Sequence, residues 1–198
     1  MNGLMGKDGA YKCYVEGTVL SEATKADEVQ CRAAAGIGDG AYLTLADHVN
    51  GVASLARLGK AIPQTALLEV KNASGKTLLK YKDATPKQVI QPDAAYIVND
   101  MASDPGASYL GGVMKFHRYK GWKTGIKTGT TNGRTDGLLM AWNKKYSAGI
   151  WIGNYNRAEF AVSPENITNP IMREFMQGAI DSLGAVQPDN WAAPAGIK

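Results

Sequence analysis

The chain has 198 residues, of which 44% are hydrophobic, 20% charged and 8% aromatic. That composition excludes a disordered tail, a collagen-like fibre and a small disulfide scaffold, and it suffices for one domain with a core or a piece of a larger one. Lys+Arg number 22 against 18 Asp+Glu, so the net charge is +4, mildly basic and short of what would require a nucleic-acid partner.

No stretch approaches the roughly 18 apolar residues of a membrane helix, and the first residues lack a secretory apolar core, so the chain reads as soluble. Residues 1–41 are glycine-rich and weakly patterned, with one helix expected over 21–35. They offer little periodic apolar surface of their own and look like the continuation of something. Cys13 and Cys31 either close a loop of about 17 residues, worth roughly 3 kcal/mol, or stay as two thiols, and their spacing does not choose. A helix is predicted over 44–58, with Thr44 as cap and Asp47 completing a capping box. Leu45, Val49, Val52 and Ala56 share one face, and Gly59 supplies the stop. Short strands over 66–70 and 77–81, joined by the turn 71–76, read as an exposed hairpin. A second helix starts at Pro92, has Ala94, Ile97, Val98 and Met101 as its apolar face, and ends before Asp104-Pro105-Gly106. Apolar runs at 122–131, 137–142 and 146–153, separated by tight connections, imply an antiparallel meander with Trp142 and Trp151 in core and interface. The last helix is expected from Pro170 to Leu183, with Met172, Phe175, Met176, Ala179 and Leu183 inward. The 185–198 tail reads as coil or linker. The order indicates an α+β layer structure, helices packed on an antiparallel sheet.

From Pro105 to Thr135 there is no acidic residue, while Lys115, Arg118, Lys120, Lys123, Lys127 and Arg134 interleave with Phe116, Tyr119 and Trp122. Such a run attracts an anion: nucleic-acid phosphate, a small carboxylate, or only solvent around snorkelling lysines. Within it, Lys127-Thr128-Gly129 lies on a predicted strand and is followed by Thr130 and Thr131. This tripeptide is one of three motifs of penicillin-binding proteins and serine β-lactamases. A strand edge must lie along an extended peptide, the lysine brings a charge, and a residue without Cβ lets the ligand approach. The hydroxyls of Thr128 and Thr130 suit a carboxylate, and the N–H of Thr130 suits an oxyanion. A second copy, Lys123-Thr124-Gly125, lies four residues upstream, and the copy at 127 is preferred because threonines follow it and the strand pattern continues through it. His48, on the first clear helix, and His117, in the basic run without an acidic neighbour, read as packing residues.

The run 127–132 with Arg134 and Asp136, and Tyr146-Ser147-Ala148-Gly149-Ile150-Trp151-Ile152-Gly153-Asn154, resemble the strands of the transpeptidase domain in class A, bifunctional penicillin-binding proteins. So do Tyr42-Leu43-Thr44-Leu45-Ala46 leading to Ala56-Arg57-Leu58-Gly59-Lys60, the turn 71–76, and Gln88-Val89-Ile90 leading through Tyr96 to Asp100-Met101. The resemblance covers roughly 32–183, and it implies the C-terminal part of the penicillin-binding/serine β-lactamase-like fold, with 42–184 as the body. It implies acyl transfer on peptidoglycan stem peptides ending in D-Ala-D-Ala, acylation by β-lactams, and no metal or organic cofactor. Lys127 would then serve the electrostatics of the cleft, and Thr128, Gly129, Thr130 and Thr131 would bind substrate. Arg134 and Asp136 would brace the turn. A parent protein anchored in the membrane, with this domain on the extracytoplasmic face, is implied as well.

The family also requires a serine three residues before a lysine, and a Ser-x-Asn motif. None of the eight serines here (21, 54, 74, 103, 108, 147, 163 and 182) has lysine at +3 or asparagine at +2. The nucleophile is therefore expected in the missing N-terminal half, and the chain alone is expected to be inactive. Two competing readings are a non-catalytic module binding stem peptide or a partner chain, and a basic nucleic-acid-binding domain, for which no specific nucleic acid is expected.

Overall fold

The computed structural model describes residues 14–15, 18–19, 44–107 and 116–197. The expected 21–35 helix, Cys13, Cys31 and Lys115 lie outside them. The chain divides into two units, 1–48 and 49–198. In the first, β1 (Tyr14–Val15) and β2 (Thr18–Val19) pair antiparallel.

Helix α1 (Leu45–Ala56) begins as expected: the Asp47 N–H donates to Thr44 Oγ1 at 3.1 Å, and that hydroxyl donates to the Asp47 carboxylate at 2.8 Å. Its inward residues are Val52, Ser54 and Ala56, whereas Leu45 is exposed. The helix ends at Ala56, two residues short of the expected end, and its left-handed stop comes one residue before the expected glycine. Leu58 takes the left-handed conformation (φ 52°), with Leu58 N–H to Leu55 O at 2.9 Å and Gly59 N–H to Ser54 O at 2.8 Å, the paired bonds of a Schellman ending. Gly59 is needed for another reason too: a Cβ there would collide with the Ile90 carbonyl.

Strands β3 (Lys60–Ala61) and β6 (Lys87–Gln88) pair antiparallel, and between them β4 (Glu69–Lys71) and β5 (Thr77–Lys80) form the exposed hairpin, shorter than expected. Helix α2 (Pro92–Ser103) then runs to the Asp104 turn. Its inward face is not the expected one. Ala95, Asn99 and Ser103 are buried, while Ala94, Ile97, Val98 and Met101 are exposed.

The meander is confirmed, with strand order β7-β8-β9: β7 (Gly125–Thr130), β8 (Asp136–Trp142) and β9 (Ser147–Gly153), all antiparallel. One sheet face carries Met140 and Trp142, packed with Val52, Ala56 and Trp191. The other carries Leu139 and Ala141, packed with Phe116, Met172 and Met176. Helix α3 (Glu165–Asp181) covers that second face and starts five residues before the expected Pro170, which lies inside it. Pro170 removes only one backbone donor near the start, and the Thr168 N–H and hydroxyl both donate to Pro164 O, which holds the first turn. Its buried residues are Thr168, Asn169, Met172, Met176 and Ile180, and Phe175, expected inward, is 56% exposed. The 185–197 stretch has no helix or strand, as expected of coil, yet it is docked: Trp191 is buried and its Nε1 donates to Ala56 O at 2.8 Å.

Candidate active site

Among the described residues β7 pairs with β8 alone, so its other edge is open. The register shows which groups face that edge. Thr131 N–H donates to Asp136 O at 3.3 Å, which makes 131/136 a hydrogen-bonded pair. Alternation then turns the backbone of Gly129 and Lys127 toward β8, and turns the N–H and C=O of Ile126, Thr128 and Thr130 toward the open edge. The far strand agrees: Asn143 N–H donates to Tyr146 O at 2.8 Å, so the odd residues of β8 bond β9 and the even ones bond β7. Lys127 Nζ donates to Thr128 O at 2.5 Å, as expected of a carbonyl left free at that edge.

The two copies of the tripeptide have opposite surroundings. Thr124 is fully buried, its N–H donating to His117 O at 2.9 Å, and Lys123 Nζ is held by Asp100 at 3.1 Å. A Cβ on Gly125 would lie 2.5 Å from the Trp142 ring, so that glycine is required by packing. Lys127 and Thr130 are exposed, and a Cβ on Gly129 would meet Leu138 at an ordinary 3.5 Å. The fold therefore needs glycine at 125 and does not need it at 129.

The site residues are not all on one side of the strand. Lys127 and Gly129 belong to the face of Met140 and Leu138, and Thr128 and Thr130 to the face of Leu139 and Gly137. Thr131 Oγ1 accepts the N–H groups of Thr135 at 3.1 Å and Asp136 at 3.0 Å, closing the loop to β8. Arg134, not Asn132 or Gly133, takes the left-handed backbone there (φ 51°). Its carbonyl accepts the Phe160 N–H at 3.0 Å and its guanidinium lies 3.8 Å from Glu159. Arg134 and Asp136 thus shape the turn.

The aromatic residues of the basic run offer no stacking platform. Phe116 and Trp122 are core, and the Tyr119 hydroxyl reaches Asp181 at 3.2 Å. Lys120 pairs with Asp181 at 2.6 Å, and the Arg118 guanidinium donates to Ser103 O. His117 is buried and stacked on Phe116; burial, then the neighbouring Arg118, hold its imidazole below the usual histidine range against the opposing pull of Asp104. Burial lowers His48 likewise. Among the described residues no cluster of His, Cys, Asp or Glu could hold a metal ion, and no helix is long and apolar enough to cross a membrane.

Sequence reasoning missed Asn190. Its Oδ1 accepts the Lys123 N–H at 2.7 Å and its Nδ2 donates to Gly121 O at 2.9 Å, fixing the chain just ahead of β7. No local pattern marked it, since it lies 67 residues from Lys123.

No family model matches the chain. It is 31% identical over 141 residues to penicillin-binding protein 1A of Clostridium perfringens strain 13, and 36% identical over 92 residues to that of Clostridium tetani. These matches take in 71% and 46% of this chain, and the chain spans only 19% and 11% of those relatives. Among solved structures, the penicillin-binding protein PonA1 of Mycobacterium tuberculosis superposes with a TM-score of 0.65 at 23% identity, over 82% of this chain and 44% of that one. Penicillin-binding protein 1A of Haemophilus influenzae gives 0.61 at 15% identity, over 78% of this chain and 29% of the other. Sequence similarity to penicillin-binding protein 1A, together with this fold, therefore identifies the matched part of the chain with the class A penicillin-binding proteins and their transpeptidase fold.

Proposed function

We propose that this chain is the C-terminal part of a serine D,D-transpeptidase domain, and that β7 is the strand on which the substrate lies. The observation that carries the reading is the open edge of β7, where Thr128 and Thr130 turn their backbone groups outward beside an exposed Lys127. A stem peptide ending in D-Ala-D-Ala would add to this edge as an extended strand. The Thr130 N–H is the oxyanion donor on this side, Lys127 supplies positive potential, and the hydroxyls of Thr128 and Thr130 receive the terminal carboxylate. Thr131 serves by holding the turn that ends the strand.

In this reading a serine outside these 198 residues attacks the penultimate carbonyl and gives up its proton. D-Alanine leaves carrying a proton on its amine, and an amine of a second stem peptide then displaces the serine, which regains its proton. β-Lactams acylate the same serine. The parent protein is membrane-anchored with this domain outside the cytoplasm, and the chain alone is inactive.

The first experiment is intact-mass spectrometry after incubation with a penicillin. The chain alone should gain no mass; a stoichiometric adduct would mean that one of its own serines is the nucleophile. In a domain restored with the upstream half, Lys127→Ala and Thr128→Ala should each slow acylation about tenfold or more, on the scale of a lost charge or anion contact in the transition state. Unchanged rates in both would put the site elsewhere.

A further inference from the structure

The β4–β5 hairpin is an amphipathic ribbon whose apolar side is left uncovered by the described residues, with Leu68 and Leu79 exposed. Its register pairs Val70 with Leu79 and Glu69 with Lys80, and Tyr81 N–H donates to Leu68 O at 2.8 Å. Leu68, Val70, Leu79 and Tyr81 therefore share one face. Glu69, Lys71, Thr77 and Lys80 share the other, where Glu69 binds Lys71 at 2.9 Å and the Thr77 hydroxyl at 3.0 Å. The register slips after Val70, and Leu78 is the extra residue of a bulge. Leu68 is 67% exposed, Leu78 63% and Leu79 46%.

A two-stranded ribbon is marginal alone, and an uncovered apolar face on one calls for a partner. Charge says which kind. Between Leu67 and Gln88 stand Lys71, Lys76, Lys80, Lys82 and Lys87 against only Glu69 and Asp83, and Glu69 is already neutralised by Lys71. Among the described residues Lys76, Lys80, Lys82 and Lys87 are exposed and in no ion pair. Leucines on one side, with Lys80 on the opposite side, Lys76 in the turn and Lys82 just past β5, match a surface that is apolar beneath an anionic skin.

We propose that this hairpin lies on the surface of an anionic phospholipid bilayer, with Leu68 and Leu79 seated among the acyl chains and Lys76, Lys80 and Lys82 among the headgroups. The contact is peripheral and independent of the transpeptidase reading.

The test is cosedimentation of the 198-residue chain with sucrose-loaded vesicles of phosphatidylglycerol and phosphatidylcholine, and with phosphatidylcholine alone. Binding is expected on the anionic vesicles only, falling steeply with salt. Lys80→Gln and Lys82→Gln should each weaken it about fivefold, the equivalent of about 1 kcal/mol per lysine at such a surface. Leu68→Asp with Leu79→Asp should abolish it, and Leu68→Ser with Leu79→Ser, read beside it, guards against the aspartates unfolding the ribbon. Phe175→Ser, an equally exposed apolar residue on α3, should leave it unchanged. The proposal is overturned by absence of binding to anionic vesicles, by equal binding to phosphatidylcholine, or by leucine variants that bind like the parent. It is also overturned if sedimentation velocity finds a dimer that Leu79→Asp dissolves while vesicles remain unbound, since the face would then belong to a second copy.

Discussion

Gly125 and Gly129 are identical in chemistry and four residues apart on one strand, yet they have different reasons to be glycine. A methyl at 125 would press into the Trp142 ring at 2.5 Å, and the ring is fixed because its Nε1 donates to Asn99 Oδ1 at 2.7 Å. Neither can move cheaply. Gly125→Ala is expected to destabilise the chain by about 1–3 kcal/mol, the usual penalty for an overpacked core. Gly129→Ala meets only ordinary contact with Leu138, so thermal or denaturant unfolding should change by less than about 0.5 kcal/mol. In a restored domain the same Gly129→Ala should slow β-lactam acylation, because its methyl would stand where the ligand approaches. If Gly129→Ala destabilised as much as Gly125→Ala, the glycine of the copy at 127 would be a packing residue too, and its functional reading would fall.

At the scale of single elements, the sequence made type and order legible and left facing directions obscure. The capping box at Thr44, the hairpin and the three-strand meander follow from local chemistry, and the structure repeats them. Helix α2 shows why facing failed. Its apolar residues Ile97, Val98 and Met101 have the right period for an inward stripe, but the polar Asn99 occupies the core. Asn99 Nδ2 donates to Leu55 O at 2.8 Å, a carbonyl in the last turn of α1, while its Oδ1 takes the Trp142 indole. Gln88 Nε2 donates to Leu58 O at 2.8 Å just beyond the same helix end. Helix ends leave acceptors exposed, and partners 30 to 44 residues away bond these two, Leu55 O in addition to the Leu58 N–H it already accepts. Hydrophobic periodicity carries no trace of such a demand. The candidate site was legible because β7 carries a local motif, and the choice between its two copies rested on the threonines that follow and the strand pattern that continues through the copy at 127. The register adds a sharper statement about that strand. Amide exchange followed by NMR should alternate along it, with Thr128 and Thr130 fast and Lys127 and Gly129 at least about tenfold slower. Uniform exchange along β7 would mean that its outer edge is not open in solution.

Across the whole of the second unit, the stretch after α3 joins parts that the sequence keeps far apart. Trp191 lies in the same cluster as Val52, Ala56, Met140 and Trp142, and so closes the sheet face opposite α3. One residue earlier, Asn190 fixes the chain ahead of β7 through Lys123 N–H and Gly121 O, and Asp189 meets Lys144 at 2.5 Å. These three neighbours contribute unequally. The Asp189–Lys144 pair is solvent-exposed enough that Asp189→Asn should cost less than about 1 kcal/mol. Trp191→Ala empties a buried indole site and leaves the Ala56 carbonyl without its donor, so a loss of about 3–5 kcal/mol is expected in denaturant unfolding. Asn190→Ala should act more locally, since the Lys123 N–H and Gly121 O lose partners at the start of the edge strand. Its signature is faster amide exchange at Lys123 and along β7, with little change in the centre of β8. If Asn190→Ala and Trp191→Ala both left β7 as protected as before, the C-terminal stretch would be a passive cover, and the alignment of the edge strand would have to come from β8 alone.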